Sequence, residues 1–214
     1  MTGKFITLEG GEGAGKSTVL ATLRDALAAA GVDVVVTREP GTTKAGEAIR
    51  HVVLHPDFHG LCGEAELLLM FAARAQLVHE RIRPALAAGQ WVLSDRYVDA
   101  SYAYQGGGRG QPAERIADLE HWAIGGLLPD LTLLLDVPVE QGLARIGTRA
   151  DGADRIERER VDFFERVRDA YRTRAAADPA RFRVVDASRP LADVVADVRR
   201  IAADFVAAHA EIQR

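Results

Sequence analysis

The sequence predicts an α/β protein built on a five-stranded, doubly wound parallel sheet with helices on both faces. Three observations predict it. Short apolar runs rich in β-branched residues alternate with longer stretches of helical apolar spacing, the pattern of strands joined by helical crossovers. The first run leads directly into a glycine-rich turn and then a helix. With 214 residues, 48% hydrophobic and 27% charged, the chain is an ordinary globular one, long enough for a sizeable core.

Each element follows from its local pattern. Phe5, Ile6, Thr7 and Leu8 form the first strand, and the helix after the turn runs over 16–30, closed by Gly31 as a C-terminal cap. Residues 32–36 are almost continuously β-branched, which predicts a second strand buried on both faces. Pro40-Gly41 makes a turn before a short helix over 46–54. Residues 64–88 read as one long helix that ends at Gly89, with Pro84 kinking or splitting its last turn. Strands three, four and five fall at 91–93, 131–135 and 182–185. The final helix sets Leu191, Val194, Val195, Val198, Ile201, Ala202 and Phe205 on one stripe for packing against the sheet. No Pro/Gly/Ser linker divides the chain, so 1–214 is read as one domain. Residues 149–160 set four arginines beside four acids with little apolar content, which predicts a solvated, mobile flap: a short lid.

Composition excludes several classes. A net charge of −4 argues against a nucleic-acid backbone as the main partner. The single cysteine, Cys62, cannot form an internal disulfide, and no apolar run is long enough to span a bilayer. Glu9, Glu12 and Lys16 interrupt any apolar leader. The expectation is a cytoplasmic, soluble protein with no membrane or nucleic-acid partner.

The turn carries the chemistry. Gly10-Gly11-Glu12-Gly13-Ala14-Gly15-Lys16-Ser17 fits G-x-x-x-x-G-K-[ST], with a strand before it and a helix beginning at Lys16. The glycines let several backbone N–H groups converge on one anion, and the helix N-terminus adds its positive dipole end. This predicts a P-loop nucleoside triphosphate fold. Residues Gly10 to Thr18 would cradle the phosphates, with Lys16 reaching the β- and γ-phosphates and the Ser17 hydroxyl holding Mg²⁺. The loop alone does not separate a kinase from a GTPase or a motor, but no Asn-Lys-x-Asp segment is present to read guanine. Asp136, at the end of the fourth strand, is either a Walker B carboxylate or, the preferred reading, a cap for the helix starting at Val139.

A second anion-binding surface is suggested by arginines at strand ends, where a doubly wound sheet places its ligand crevice. Thr37-Arg38-Glu39-Pro40-Gly41 follows strand two and Ser94-Asp95-Arg96-Tyr97 follows strand three, with Arg50 and Arg74 on the helices between them. Arg96 offers a planar fork for phosphate, and Asp95 can hold a metal-bound water or orient that arginine. Two facing anion sites point to phosphoryl transfer between two nucleotides.

At this point the chain resembles the bacterial thymidylate kinases over nearly its whole length. The matching pieces are the phosphate loop with Glu12, Thr37 to Gly41, Phe71-Ala72-Ala73-Arg74, Asp95-Arg96-Tyr97 and Ala103-Tyr104-Gln105-Gly106. Pro129-Asp130-Leu131-Thr132, Asp154-Arg155-Ile156-Glu157 and Val185-Asp186-Ala187 follow in order. The resemblance implies transfer of the ATP γ-phosphate to dTMP with Mg²⁺, in a homodimer joined through apolar helix faces. It implies that Arg50 and Arg96 hold the dTMP phosphate, that Arg74 reaches thymine O4, and that Ser101 and Gln105 read the rest of the base edge. Tyr104 would pack where a 2′-hydroxyl would sit, Glu39 would lie near sugar and metal, and 186–190 would border the adenine. Because the phosphate loop lacks an arginine, the chain is similar to the subgroup whose lid supplies one, from Arg149 or Arg155, with Arg149 the first choice. Met70 stands where the family usually carries the base-stacking phenylalanine, and the aromatic falls on Phe71 instead; Ala100 replaces a frequent serine. Rival readings are a P-loop kinase for another monophosphate or a nucleoside, with Glu39 as base, and a slow nucleotide switch.

Overall fold

In the computed structural model of the chain, residues 3–147 and 154–210 are described. Five parallel strands form one sheet in the order β2-β3-β1-β4-β5. They are β1 Phe5–Gly10, β2 Val34–Arg38, β3 Trp91–Asp95, β4 Leu131–Asp136 and β5 Phe182–Asp186. Each strand of the sequence reading is present. Ladder pairing carries β1 two residues beyond Leu8, because Glu9 and Gly10 lie opposite Leu134 and Leu135. At the sheet edge, β2 is only half-buried and Val36 is 38% exposed, so the expectation of burial on both faces is corrected. A β-branched run cannot tell an edge from a centre.

Side-chain alternation along β1 divides the interior. Ile6 and Leu8 join a cluster with Val19, Leu23 and Leu27 of α1 (Lys16–Ala29) and with Val194 and Val198 of α9 (Leu191–Ala210). Phe5 faces the other side, against Leu67, Phe71 and Leu77 of α3 (Gly63–Leu77). Thr7 and Glu9 lie on that second face, buried and polar, toward the carboxyl end of the strand. Thr43 accepts a hydrogen bond from Gly46 N–H and so starts α2 (Lys44–Leu54) two residues before the expected position.

The long helix expected over 64–88 is continuous in direction but not in hydrogen bonding. A π-turn at Val78–Ile82 separates α3 from α4 (Arg83–Ala87), and Pro84, which has no N–H to donate, occupies the first turn after it. A second π-helical stretch, Tyr102–Gly108, follows the short α5 (Val98–Ser101). Two long helices have no counterpart among the predicted elements: α6 (Ala113–Ile124) and α8 (Val161–Ala177). In α8 charged residues are spread along the whole length, yet Phe163, Phe164, Val167, Tyr171 and Ala175 fall on one face and are buried. Between β4 and α8 lies α7 (Val139–Ile146). Its N-cap is Pro138, with no side-chain cap, and Asp136 instead accepts two hydrogen bonds from Arg168 at 2.6 and 3.0 Å. The preferred capping role for Asp136 is thereby corrected.

Candidate active site

At the carboxyl ends of the strands a cavity of about 450 Å³ opens between the phosphate loop, α2, α3 and the π-helical stretch. This is where a doubly wound sheet places its ligands. One wall is the turn between β1 and α1. Gly15 holds left-handed backbone (φ 87°) at the N-cap, which leaves the first turn of α1 without a side-chain cap and its N–H groups available to an anion. Gly13 lets α7 lie flat on the loop: a Cβ there would meet the Gly142 carbonyl oxygen at 2.0 Å. Lys16 Nζ curls back to donate to the Gly10 and Gly11 carbonyls at 3.1 and 2.8 Å. Burial, with Arg96 nearby, pulls its pKa down to about 8. Ser17 and Thr18 lie exposed at the helix start.

The opposite wall is made of side chains. Arg96 follows β3 in left-handed backbone (φ 69°), a conformation that costs a non-glycine residue about 1–2 kcal/mol. Arg96 N–H donates to Leu8 O at 2.9 Å and Ser94 Oγ to Arg96 O at 2.8 Å, and these bonds hold the strained turn. The guanidinium then reaches across to the other wall. Nη1 donates to Gly10 O at 2.8 Å and Tyr171 Oη at 3.1 Å, while Nη2 donates to Glu12 at 2.7 Å and Tyr104 Oη at 2.9 Å. Tyr104 also lies flat beneath it, the ring centre 4.7 Å away. Arg50 lines the same space and donates to Pro40 O at 3.0 Å. Arg38, beside the predicted residues, is a further cation on this wall, and its position at a strand end was the signal for it.

Predicted base-contacting residues separate into two groups. Met70, Ala100, Tyr104 and Gln105 line the cavity. Arg74, Phe71 and Ser101 stand behind them. Arg74 is fully buried, donating to Glu39 at 2.7 Å, to Ser101 Oγ at 3.0 Å and to Tyr97 O at 3.0 Å, with its guanidinium 4.6 Å above the Phe71 ring. Phe71 belongs to the core cluster beneath the sheet, so its expected place against a ligand is corrected: helical spacing turns position 71 inward and position 70 outward.

Of the buried polar atoms without a hydrogen-bond partner among the described residues, three belong to cavity-lining side chains: Glu39 Oε1, Asp95 Oδ1 and Gln105 Oε1. Burial, opposed by Arg74, pushes Glu39 up to about 7. Asp95 and Ser17 offer carboxylate and hydroxyl oxygens, the hard donors Mg²⁺ prefers, so the residues fit such an ion. No group of three His, Cys, Asp or Glu among the described residues could enclose a metal, and phosphate oxygens would have to complete its shell.

The lid separates differently from expectation. Arg149 lies outside the described residues. Arg155 is buried rather than solvated: Nε donates to Val53 O at 2.6 Å, its backbone N–H to Leu54 O at 2.9 Å, and Nη2 pairs with Glu66. Ile156 is buried beside it. Asp154, Ile156 and Glu157 line the cavity while Arg155 turns away, toward the protein interior. Charge alternation along 154–160 gave no hint of this. Two more residues escaped sequence reasoning. Glu9, at the strand end before the loop, accepts from Tyr97 N–H and Tyr171 Oη, both at 2.7 Å. Arg145 of α7 bridges the Gly13 carbonyl at 3.2 Å and the Ala187 carbonyl at 3.1 Å, joining the phosphate loop to the segment after β5.

The thymidylate kinase family model matches residues 8–198. The thymidylate kinase of Pseudomonas syringae pv. tomato is 54% identical over 214 residues, covering all of both chains. That of Halorhodospira halophila is 55% identical over 205 residues, 95% of each chain. That of Neisseria gonorrhoeae is 53% identical over 202 residues, 94% of this chain and 97% of its own.

Proposed function

The chain belongs to the thymidylate kinase family, and from that premise we propose how its residues divide the labour of the reaction. The reaction is transfer of the γ-phosphate of ATP to dTMP, giving dTDP, with Mg²⁺ as cofactor. One observation carries the assignment of sides. Arg96 lines the acceptor wall yet is hydrogen-bonded to the Gly10 carbonyl of the donor loop, so an acceptor phosphate on its fork is registered against the donor phosphates.

The donor phosphates occupy the backbone nest from Gly10 to Thr18, and Lys16 exchanges its two loop carbonyls for phosphate oxygens. Arg50 and Arg96 hold the dTMP phosphate, whose oxygen is already anionic near pH 7 and needs no general base. Met70 packs on the thymine. Gln105 reads the base edge, and Arg74, from behind, fixes Glu39, with Ser101 and the Tyr97 carbonyl holding its guanidinium. Tyr104 supports Arg96 and closes the sugar side. Ser17 and Asp95 hold Mg²⁺, which when bound neutralises phosphate charge. Lys16 and Arg96 compensate the charge that develops on the transferring group. On sequence grounds Arg149 is the lid cation; Arg155, with its guanidinium committed to Glu66 and Val53, is assigned an anchoring role.

No helix among the described residues is long and apolar enough to cross a membrane, and the cytoplasmic location rests on the family reading. The homodimer is assigned to the face shared by α3 and α6, where Leu68 is 56% and Trp122 83% exposed. ADP release measured over a panel of monophosphates, with thymidine included, tests the reading. Rapid ADP formation dependent on dTMP is expected; equal rates with thymidine, or none with dTMP, would overturn it. Light scattering on Trp122→Asp should show monomers where the parent chain shows dimers.

A further inference from the structure

Glu66 takes no part in the division of labour above, yet it is fully buried on α3 and three side chains converge on it. Arg155 pairs with Oε2 from the lid arm. Arg109 Nη2, from the residue just after the π-helical stretch, lies 3.2 Å from the same oxygen. Gln105 Nε2 donates to Oε1 at 2.9 Å. Burial pushes the Glu66 carboxyl up, but the hydrogen bonds from Gln105 and Arg155 and the charges of Arg109 and Arg155 outweigh it and hold the group below its ordinary value. Glu66 is therefore ionised, and an ionised carboxylate only accepts.

An acceptor-only neighbour dictates which way round an amide sits. Gln105 must turn its NH₂ to Glu66, as the 2.9 Å bond from Nε2 shows. Its Oε1 is then left over, buried and without a partner among the described residues, on a side chain that is 3% exposed and lines the cavity. We propose that Glu66 is a positioning residue for base selectivity, because by gripping Gln105 through its NH₂ it makes the cavity present a hydrogen-bond acceptor to the base.

This rests on the reading of the cavity as the dTMP site. An acceptor there pairs with the N3–H of thymine or uracil. It opposes cytosine, whose N3 would set one lone pair against another at a buried acceptor. Loss of such a contact changes discrimination by about ten- to a hundredfold.

The test is the ratio of kcat/KM for dTMP to kcat/KM for dCMP, measured in the full-length enzyme and four variants. Glu66→Gln can donate as well as accept, so it releases Gln105 to reverse, and the ratio should fall about ten- to a hundredfold. Glu66→Asp remains acceptor-only and should keep the ratio within about threefold, even if KM rises. Gln105→Leu should lose the discrimination, and adding Glu66→Gln to it should change the ratio no further, since both act through one contact. Arg74 is present throughout and cancels from the comparison. An unchanged ratio in Glu66→Gln, or additive losses in the double variant, would overturn the proposal. Should Glu66→Gln lack a cooperative thermal transition, the remaining pair decides. Gln105→Leu leaves both arginine pairs intact, and an unchanged ratio in it, or a lost ratio in Glu66→Asp, rejects the proposal. A parent enzyme that takes dTMP no better than dCMP would reject the dTMP reading itself.

Discussion

The two walls of the cavity are built on opposite plans. The donor wall is one continuous stretch, Gly10 to Thr18, in which backbone N–H groups and a helix end form the binding surface. The acceptor wall gathers side chains from four separate places: Arg50 on α2, Met70 on α3, Arg96 after β3, and Tyr104 with Gln105 on the π-helical stretch. A backbone nest needs only its own φ and ψ angles. A wall of arginines needs partners to hold each guanidinium in place, and these partners come from up to 86 positions away, as with Arg96 and Gly10. The difference teaches that the acceptor side is prepaid in structure: protein partners already orient the guanidinium groups of Arg96 and Arg74 before any ligand arrives.

The largest expected effect separates the walls most sharply. Lys16→Ala should lower kcat about a thousandfold, as loss of one preorganised charge donor does, while leaving dTMP affinity by calorimetry close to the parent value. Equal losses in both would place Lys16 on the wrong wall. Arg96→Ala should cost about 2–5 kcal/mol in dTMP affinity along with turnover. Because Arg96 also ties down Gly10 and Glu12, ATP affinity should weaken several-fold; an unchanged ATP affinity would show that the walls are energetically independent.

Arg155→Ala tests whether a lid arginine belongs to either wall. It leaves Glu66 with one guanidinium fewer in a buried site, and about 3 kcal/mol of stability should go, a fall in Tm of roughly 6–12 °C for a chain of this size. The kcat at a temperature where the variant is folded should stay within about threefold. A hundredfold loss of kcat with unchanged Tm would make Arg155 a catalytic cation instead.

The smallest expected effect is on pH. Burial brings the Lys16 ammonium of the free enzyme down to about 8, so the charged form is lost as pH rises through that value. The kcat/KM for ATP should then fall toward tenfold per pH unit above about 8. The kcat/KM for dTMP at saturating ATP should stay nearly flat there, because the acceptor wall relies on arginines. Lys16→Arg should flatten the ATP profile whatever its absolute rate. Two parallel profiles would mean that the walls share a titrating group.

The amino-acid sequence by itself determined what depends on near neighbours. Five strands, the capped first helix, the interruption near Pro84 and the entire phosphate loop were legible, because glycine torsions, proline's missing donor and apolar periodicity act within a few residues. The arginines proposed for the acceptor were legible as residue types, Arg96 at a strand end and Arg50 on the helix between two strands, and the family resemblance implied their roles. Tertiary structure decided which way each side chain faces. Met70 and Phe71 are adjacent, yet one meets the cavity and the other the core. Residues 113–124 and 161–177 became helices through burial of one narrow face against distant segments. Asp136 found Arg168 rather than a helix end, and Arg155 found Glu66, 89 positions away, rather than solvent. A charged side chain goes to whichever opposite charge the fold brings near in a site shielded from water, and that neighbour is set by the packing of the whole chain, which no local spacing encodes.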